Sequence, residues 1–147
     1  MTICRGDMYE REIIRLFEDI DPLLYGQRGT HSDGVDVLLC KAYPCGTEVW
    51  RLEVKSARGV TQSLKDTAHM WAQYQGYLEI LRKYGISTYY AFRSKARAGK
   101  GEKWRLFSVD DLPRARTGAP KLAVEARTGW TIRGFYDGVI VGGGRGV

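Results

Sequence analysis

The stretch Val49-Trp-Arg-Leu-Glu-Val-Lys-Ser56 decides how the rest of the sequence is interpreted. Its alternation predicts a β-strand that places Trp50 and Leu52 on one face and Glu53 and Lys55 on the other. Because an unpaired charge is costly to bury, a strand through a core needs a reason to carry a glutamate and a lysine on one side. The two side chains are either an ordinary ion pair or part of a functional site.

A second predicted strand, residues 35–40, begins after the turn-forming run of residues 30–34 and carries Asp36 at its start. If the two strands pair as a hairpin, Asp36 and Glu53 meet at one end. Two converging carboxylates are suited to a hard cation such as Mg²⁺, for which Mn²⁺ often substitutes. Lys55 beside them can orient a water or stabilise a charged transition state.

Length and composition place limits on the fold. A chain of 147 residues, 44% hydrophobic and 27% charged, fits one folded domain with its own core. We expect an intracellular protein without a membrane span, since the N-terminus has no signal-peptide core and no apolar run approaches the roughly 20 residues that a span needs. The three cysteines have no CxxC spacing, which argues against a zinc site and an obligatory disulfide framework, although a Cys40–Cys45 bridge stays open.

The net charge of +6 is distributed unevenly along the chain. Residues 1–90 contain eleven Lys and Arg against twelve Asp and Glu, whereas residues 91–147 contain twelve against five. A basic half beside a pair of carboxylates indicates a phosphate-backbone ligand such as DNA. The alternative is a solvated basic face without a ligand.

The first predicted helix, residues 7–20, has an apolar stripe that includes Ile13 and Phe17, with Asp7 at the N-cap position. Glu10 lies along this apolar side, because Ile13 and Phe17 are its i+3 and i+7 neighbours. It is either a favourable acidic charge near a helix N-terminus or a member of the site. In the loop of residues 26–34, His31 is either a surface residue or a general base.

The other predicted elements complete an α-β-β-β-α-β-β order. They are a short strand at 23–25, a helix at 62–84 that Gly85 ends, and strands at 86–92 and 103–109. Residues 121–127 are a candidate for a further strand outside this order. This order predicts an α/β fold with a mixed central sheet flanked by helices. We expect about residues 128–147, which include the run Gly142-Gly-Gly-Arg-Gly146, to form a flexible tail.

The sequence resembles the archaeal-type Holliday junction resolvases of the PD-(D/E)xK nuclease superfamily. The superfamily pattern is Asp36 followed by Glu53-Val-Lys55, with Val35 where the superfamily name has proline. Four further similarities follow the order of the resolvases: an opening helix with the pattern Arg-Gly-x-x-x-Glu at 5–10, a third strand at 52–58, a glutamine-bearing helix at 71–73 and the end of that helix at 79–85. The resemblance as a whole covers about residues 5–113.

The resemblance implies a restriction-endonuclease-like core and a set of roles. Asp36 and Glu53 would bind Mg²⁺, Glu10 would complete the acidic cluster, Lys55 would position or activate the attacking water, and Gln73 would face the site. It also implies branched DNA as the partner and a homodimer as the active unit. The residues expected to contact DNA are the loop hydroxyls and the surrounding basic side chains: Arg5, Arg11, Arg28, Thr30, Ser32, Arg58, Lys100 and Lys103.

Three functions are therefore open from the sequence. The first is a metal-dependent nuclease that cuts four-way junctions by paired symmetric nicks. The second is a nuclease of the same fold that acts on duplex DNA or single-stranded ends. The third is a DNA-binding module that retains the fold without activity. The aromatic residues Tyr89, Phe92, Trp104 and Phe107 are either core residues or part of a dimer interface.

Overall fold

The computed structural model describes residues 5–30, 34–95, 103–126 and 128–143, with side chains described from residue 8 onwards. The helices are α1 Arg5–Ile20, α2 Ala68–Tyr84 and α3 Ile132–Phe135, which continues into a π-helical turn, Tyr136–Val141. The strands are β1 Leu24–Arg28, β2 Val37–Tyr43, β3 Gly46–Ala57, β4 Thr61–Ser63, β5 Thr88–Ser94, β6 Trp104–Ser108 and β7 Lys121–Ala123.

Five strands form a mixed central sheet in the order β1-β2-β3-β5-β6. The β2–β3 hairpin predicted from the sequence is confirmed, with Val37 opposite Leu52 in an antiparallel register. Strands β3 and β5 are parallel, so the chain between them crosses back through α2, while β1–β2 and β5–β6 are antiparallel. Strands β4 and β7 pair separately as a small antiparallel sheet.

The central sheet separates two hydrophobic cores. On one face, Leu52 packs with residues of α1 and α3. On the other face, residues of α2 pack over Tyr90 and Phe92 of β5. Because neighbouring residues of a strand point to opposite faces, Glu53 faces the α2 side. This arrangement confirms the α/β fold with a mixed sheet flanked by helices.

Helix α1 follows its predicted stripe. Ile13 and Phe17 are fully buried against the sheet, as the 3.6-residue period requires. The helix begins at Arg5, two residues before the predicted start. The predicted N-cap role of Asp7 lies outside the described side chains.

Helix α2 begins six residues later than predicted. Thr67 caps it by accepting a hydrogen bond from the Met70 backbone N–H at 3.1 Å. Residues 61–63 instead pair with β7. The predicted end is confirmed: Gly85 has φ of 68°, a left-handed conformation that favours glycine, and its N–H donates to the Leu81 carbonyl.

The predicted flexible tail is wrong for the described residues 128–143. Phe135 is fully buried and packs edge-on against Phe17, Tyr89 and Trp130 at ring-centroid distances of 5.7, 4.9 and 5.6 Å. Val139 is also buried in this core. The apolar residues at helical spacing outweigh the glycines that suggested disorder. Residues 144–147 lie outside the described part.

The Tyr136 hydroxyl ties the same segment to the end of α1. It donates to Asp21 Oδ2 at 2.9 Å, and Lys41 Nζ donates to the same oxygen at 2.8 Å. Asp21 is 7% exposed, and its hydrogen bonds, first that from Lys41, lower its pKa below the ordinary value. A buried carboxylate thus joins α1, β2 and the C-terminal helical turns.

The aromatic residues of the last two central strands belong to the core. Phe92 and Phe107 are fully buried and Trp104 is 3% exposed, while Tyr89 packs against Trp130 and Phe135. They are therefore not the surface of a dimer interface.

Cys40 and Cys45 are free thiols. None of the helices in the described ranges is long and apolar enough to cross a membrane.

Candidate functional site

The β2–β3 hairpin brings Asp36 and Glu53 together. Asp36 immediately precedes β2, and its Oδ2 accepts a hydrogen bond from the Val54 backbone N–H at 2.9 Å. Its carboxyl group also hydrogen-bonds to that of Glu53, which is 3% exposed.

The pKa of Glu53 is raised from its ordinary value of 4.5 to about 7. Burial is the largest cause, because removing water destabilises the charged form, and the neighbouring Asp36 charge adds to it. Lys55 and a hydrogen bond from Tyr77 act in the opposite direction and are weaker. Near neutral pH the acidic pair therefore carries less than its full negative charge, and a cation between the two groups would displace the proton.

Lys55 and Gln73 form the second part of the site. Lys55 Nζ lies 3.2 Å from Glu53 Oε2 and donates to Gln73 Oε1 at 3.0 Å. The ammonium group is thus held between the acidic pair and helix α2. A simple cross-strand ion pair would involve only Glu53 and Lys55. Because Lys55 also contacts Gln73, the Glu53–Lys55 pair is part of a larger polar cluster.

Helix α2 presents three polar side chains along one face at a spacing of four residues: His69, Gln73 and Tyr77. The Tyr77 hydroxyl lies 2.5 Å from Glu53 Oε1 and 3.0 Å from the carbonyl oxygen of Gly34. His69 lies at the exposed end of the row and lines the cleft. The sequence interpretation missed both residues: the i, i+4, i+8 spacing places them on the same helix face as Gln73, but it does not show that the Tyr77 hydroxyl reaches Glu53.

A cleft of about 530 Å³ opens over these groups. Its lining residues are Gly29, Thr30, Gly34, Val35, Asp36, Glu53, His69 and Gln73. Two glycines shape it: Gly34 has φ of 71°, and a Cβ on Gly29 would lie 1.9 Å from the Val35 carbonyl oxygen. The Gly29 N–H donates to the Asp36 carbonyl at 2.7 Å. This hydrogen bond, which the absence of a side chain at Gly29 permits, fixes the backbone of Asp36 just before β2.

Glu10 is the residue that the sequence predicted to complete the acidic cluster. It lies on α1, which covers the opposite face of the sheet from Glu53, and its Oε1 accepts a hydrogen bond from Arg28 Nε at 3.1 Å. Within the described ranges, no group of three or more His, Cys, Asp or Glu side chains forms a metal cluster. The structure thus brings together Asp36, Glu53, Lys55 and Gln73, while metal binding by Glu10 stays a prediction.

The residues predicted to contact DNA are spread around the molecule. Thr30 lines the cleft, and Arg11 and Arg58 are exposed. Lys103 lines a separate groove of about 820 Å³ with Arg93 and Trp104, and none of the four clustered residues lines that groove. The side chains of Arg5, His31, Ser32 and Lys100 lie outside the described part.

Comparisons with known proteins agree with the geometry at the level of the fold. No family model matches the sequence, and no curated protein is significantly similar to it. Among solved structures, the chain is similar to Hjc of Archaeoglobus fulgidus, described as a Holliday junction resolvase from an archaeal hyperthermophile. The TM-score is 0.60 at 19% identity, over 88% of this chain and 93% of that one. The resemblance seen in the sequence is therefore confirmed for the fold: this chain has the fold of an archaeal Holliday junction resolvase.

Proposed function

We propose that this protein is a metal-dependent endodeoxyribonuclease that cuts four-way DNA junctions. The observation that carries the proposal is the single cleft that contains Asp36, Glu53 and Gln73, with Lys55 bound to the latter two. This set occurs on a fold shared with a protein described as a Holliday junction resolvase. Fold alone does not determine function, so the proposal rests on the site.

The acidic pair fits a bound Mg²⁺ or Mn²⁺. Carboxylate oxygens are the preferred ligands of these ions, and Asp36 and Glu53 present theirs to the cleft. Burial and the neighbouring Asp36 charge raise the pKa of Glu53, and a bound cation would offset both by favouring the ionised form. When bound, the ion would lower the pKa of a water and neutralise charge on the phosphoryl oxygens.

The remaining residues of the cluster position groups around the scissile phosphate. Lys55 is held by Gln73 and Glu53, so its ammonium group is available to orient the attacking water or to stabilise negative charge that develops on the phosphate. Thr30 lines the cleft, and in this proposal its hydroxyl contacts the DNA backbone. The net charge of +6 supports attraction of the polyanion.

The direct test is cleavage of a labelled four-way junction, a fork and a plain duplex in Mg²⁺. We expect Asp36→Asn and Glu53→Gln to abolish junction cleavage while junction affinity without metal stays within about twofold, because most affinity comes from contacts to phosphate. Lys55→Ala should lower the rate by about 10²–10³ and leave Mn²⁺ affinity nearly unchanged. Glu79→Gln, which changes an exposed carboxylate on α2, is the matched control.

The outcomes separate the candidate functions. Full activity in either acidic-pair variant would contradict the metal site. Equal cleavage of duplex and junction would favour a general nuclease, and junction binding without cleavage in Mg²⁺ or Mn²⁺ would favour the inactive binding module. Glu10→Gln adds a further test: a loss of activity larger than its effect on stability would support a role of Glu10 in catalysis.

A further inference from the structure

Tyr77 connects the two segments that carry the acidic pair. It belongs to α2, is 5% exposed, and places its hydroxyl 2.5 Å from Glu53 on β3. The same hydroxyl lies 3.0 Å from the carbonyl of Gly34, two residues before Asp36. One buried group therefore contacts the strand that bears Glu53 and the loop that leads into Asp36.

The geometry limits what this hydroxyl can do. It carries one hydrogen and so donates to one oxygen at a time. When Glu53 is ionised, its oxygen is the stronger acceptor, because a hydrogen bond to a charged oxygen is shorter and about twice as strong as a neutral one. Tyr77 then fixes Glu53 Oε1, while Lys55 lies at Oε2 on the other side of the carboxylate.

The ring of Tyr77 contributes to core packing independently of the hydroxyl. It packs edge-on against the ring of Tyr90 at a centroid distance of 6.0 Å within the α2-side core. Phenylalanine can fill the same space and pack in the same way, so the hydroxyl can be removed while the packing is kept. The position can therefore be tested for its polar role alone.

We infer that Tyr77 is a positioning residue of the metal site: its hydroxyl sets the orientation of the Glu53 carboxylate relative to Asp36, so that both present oxygens to one divalent cation. The inference rests on the proposed metal-dependent function and extends it to a residue outside the acidic pair. Ligand orientation by a neighbouring hydrogen bond commonly changes metal affinity by about 10- to 100-fold.

The test is a Mn²⁺ titration of Tyr77→Phe by calorimetry, without DNA. We expect affinity to fall about tenfold or more, with a wild-type circular dichroism spectrum. In junction cleavage, the variant should need correspondingly more Mn²⁺ for half-maximal rate and recover most of the rate at saturating metal. That split, together with a wild-type circular dichroism spectrum, is the signature of positioning, because a binding ion could also rescue a variant that was only partly folded.

The matched control is Tyr90→Phe. It removes a buried hydroxyl that has no hydrogen-bond partner among the described residues and keeps the ring beside Tyr77. It should bind Mn²⁺ as the wild type does. Equal Mn²⁺ affinity in wild type and Tyr77→Phe would overturn the inference alone, whereas no Mn²⁺ binding by the wild type would overturn the proposed function as well.

A double-mutant cycle keeps the inference testable in the metal-free protein. If Tyr77 acts through Glu53, the effects of Tyr77→Phe and Glu53→Gln on the urea midpoint should be less than additive, because Glu53→Gln weakens the same hydrogen bond that Tyr77→Phe removes. Simple additivity would show that the hydroxyl and the carboxylate are not coupled and would contradict the inference.

Discussion

Burial and a neighbouring carboxylate raise the pKa of Glu53, so the free energy of unfolding depends on whether Glu53 is protonated. The folded pKa of about 7 lies above the ordinary value of 4.5, so between these values the folded state binds more proton than the unfolded state. The free energy of unfolding of the metal-free protein should therefore fall as pH rises through this window. Urea unfolding across the window measures it.

The matched comparison for this pH dependence is Glu53→Gln, whose amide does not titrate. The variant should lose the part of the slope that comes from Glu53, although other groups continue to contribute. Saturating Mn²⁺ should also flatten the wild-type slope, because the ion binds the ionised pair and replaces the proton. An identical slope in wild type and variant would show that Glu53 titrates near its ordinary pKa in the folded protein.

The sequence predicted some residues of the site and missed others for a physical reason. The two-residue period of β3 and the hairpin register were enough to place Glu53 and Asp36 together. Tyr77 instead falls in the apolar stripe of α2, and its ring indeed packs in the core. A periodic pattern predicts the face of a helix and not the reach of a long side chain, so the hydrogen bond between the hydroxyl and Glu53 was not predictable.

At the scale of elements, the C-terminal helical turns, residues 132–141, pack in the hydrophobic core on the α1 side of the sheet. Phe135→Ala removes a fully buried ring that contacts Phe17, Tyr89 and Trp130, and should destabilise the protein by about 3–5 kcal/mol. Val141→Ala, at a side chain that is 61% exposed, should cost less than about 0.5 kcal/mol. Urea denaturation measures both, and a Phe135→Ala protein as stable as the wild type would restore the flexible-tail prediction.

Element types were more predictable than their pairings. Alternating residues predicted β2, β3, β5 and β6, whereas the parallel pairing of β3 with β5 depends on interactions between residues far apart in sequence. The start of α2 was misplaced because residues 61–63 satisfy their backbone hydrogen bonds with β7, which local propensity does not report. Tertiary pairing decided these boundaries.

For the whole molecule, the uneven charge predicts salt-dependent DNA binding. If Lys100 and Lys103 bind phosphate, replacing both with alanine should reduce the slope of log K against log salt by about 0.9 for each phosphate that is no longer neutralised. Arg82→Ala, a change at an exposed side chain of α2, is the control. Lys103 lines the groove with Arg93, separate from the cleft, so an unchanged slope would direct the search for the DNA surface to Arg5, Arg11, Arg28 and Arg58.

The last prediction concerns the active unit, which we expect to be a twofold dimer. The chain has one Asp36–Glu53 pair in its described part, whereas symmetric resolution of a junction requires cuts in two strands at related positions. A closed dimer supplies two such sites with matching symmetry. Mixing wild type with an excess of Glu53→Gln should therefore form mixed dimers that nick one strand and fail to release paired products. Light scattering gives the mass at the concentration used for cleavage, and Glu79→Gln as the excess partner controls for dilution. A monomer that makes both nicks, or paired products that persist in the mixture, would contradict the dimer.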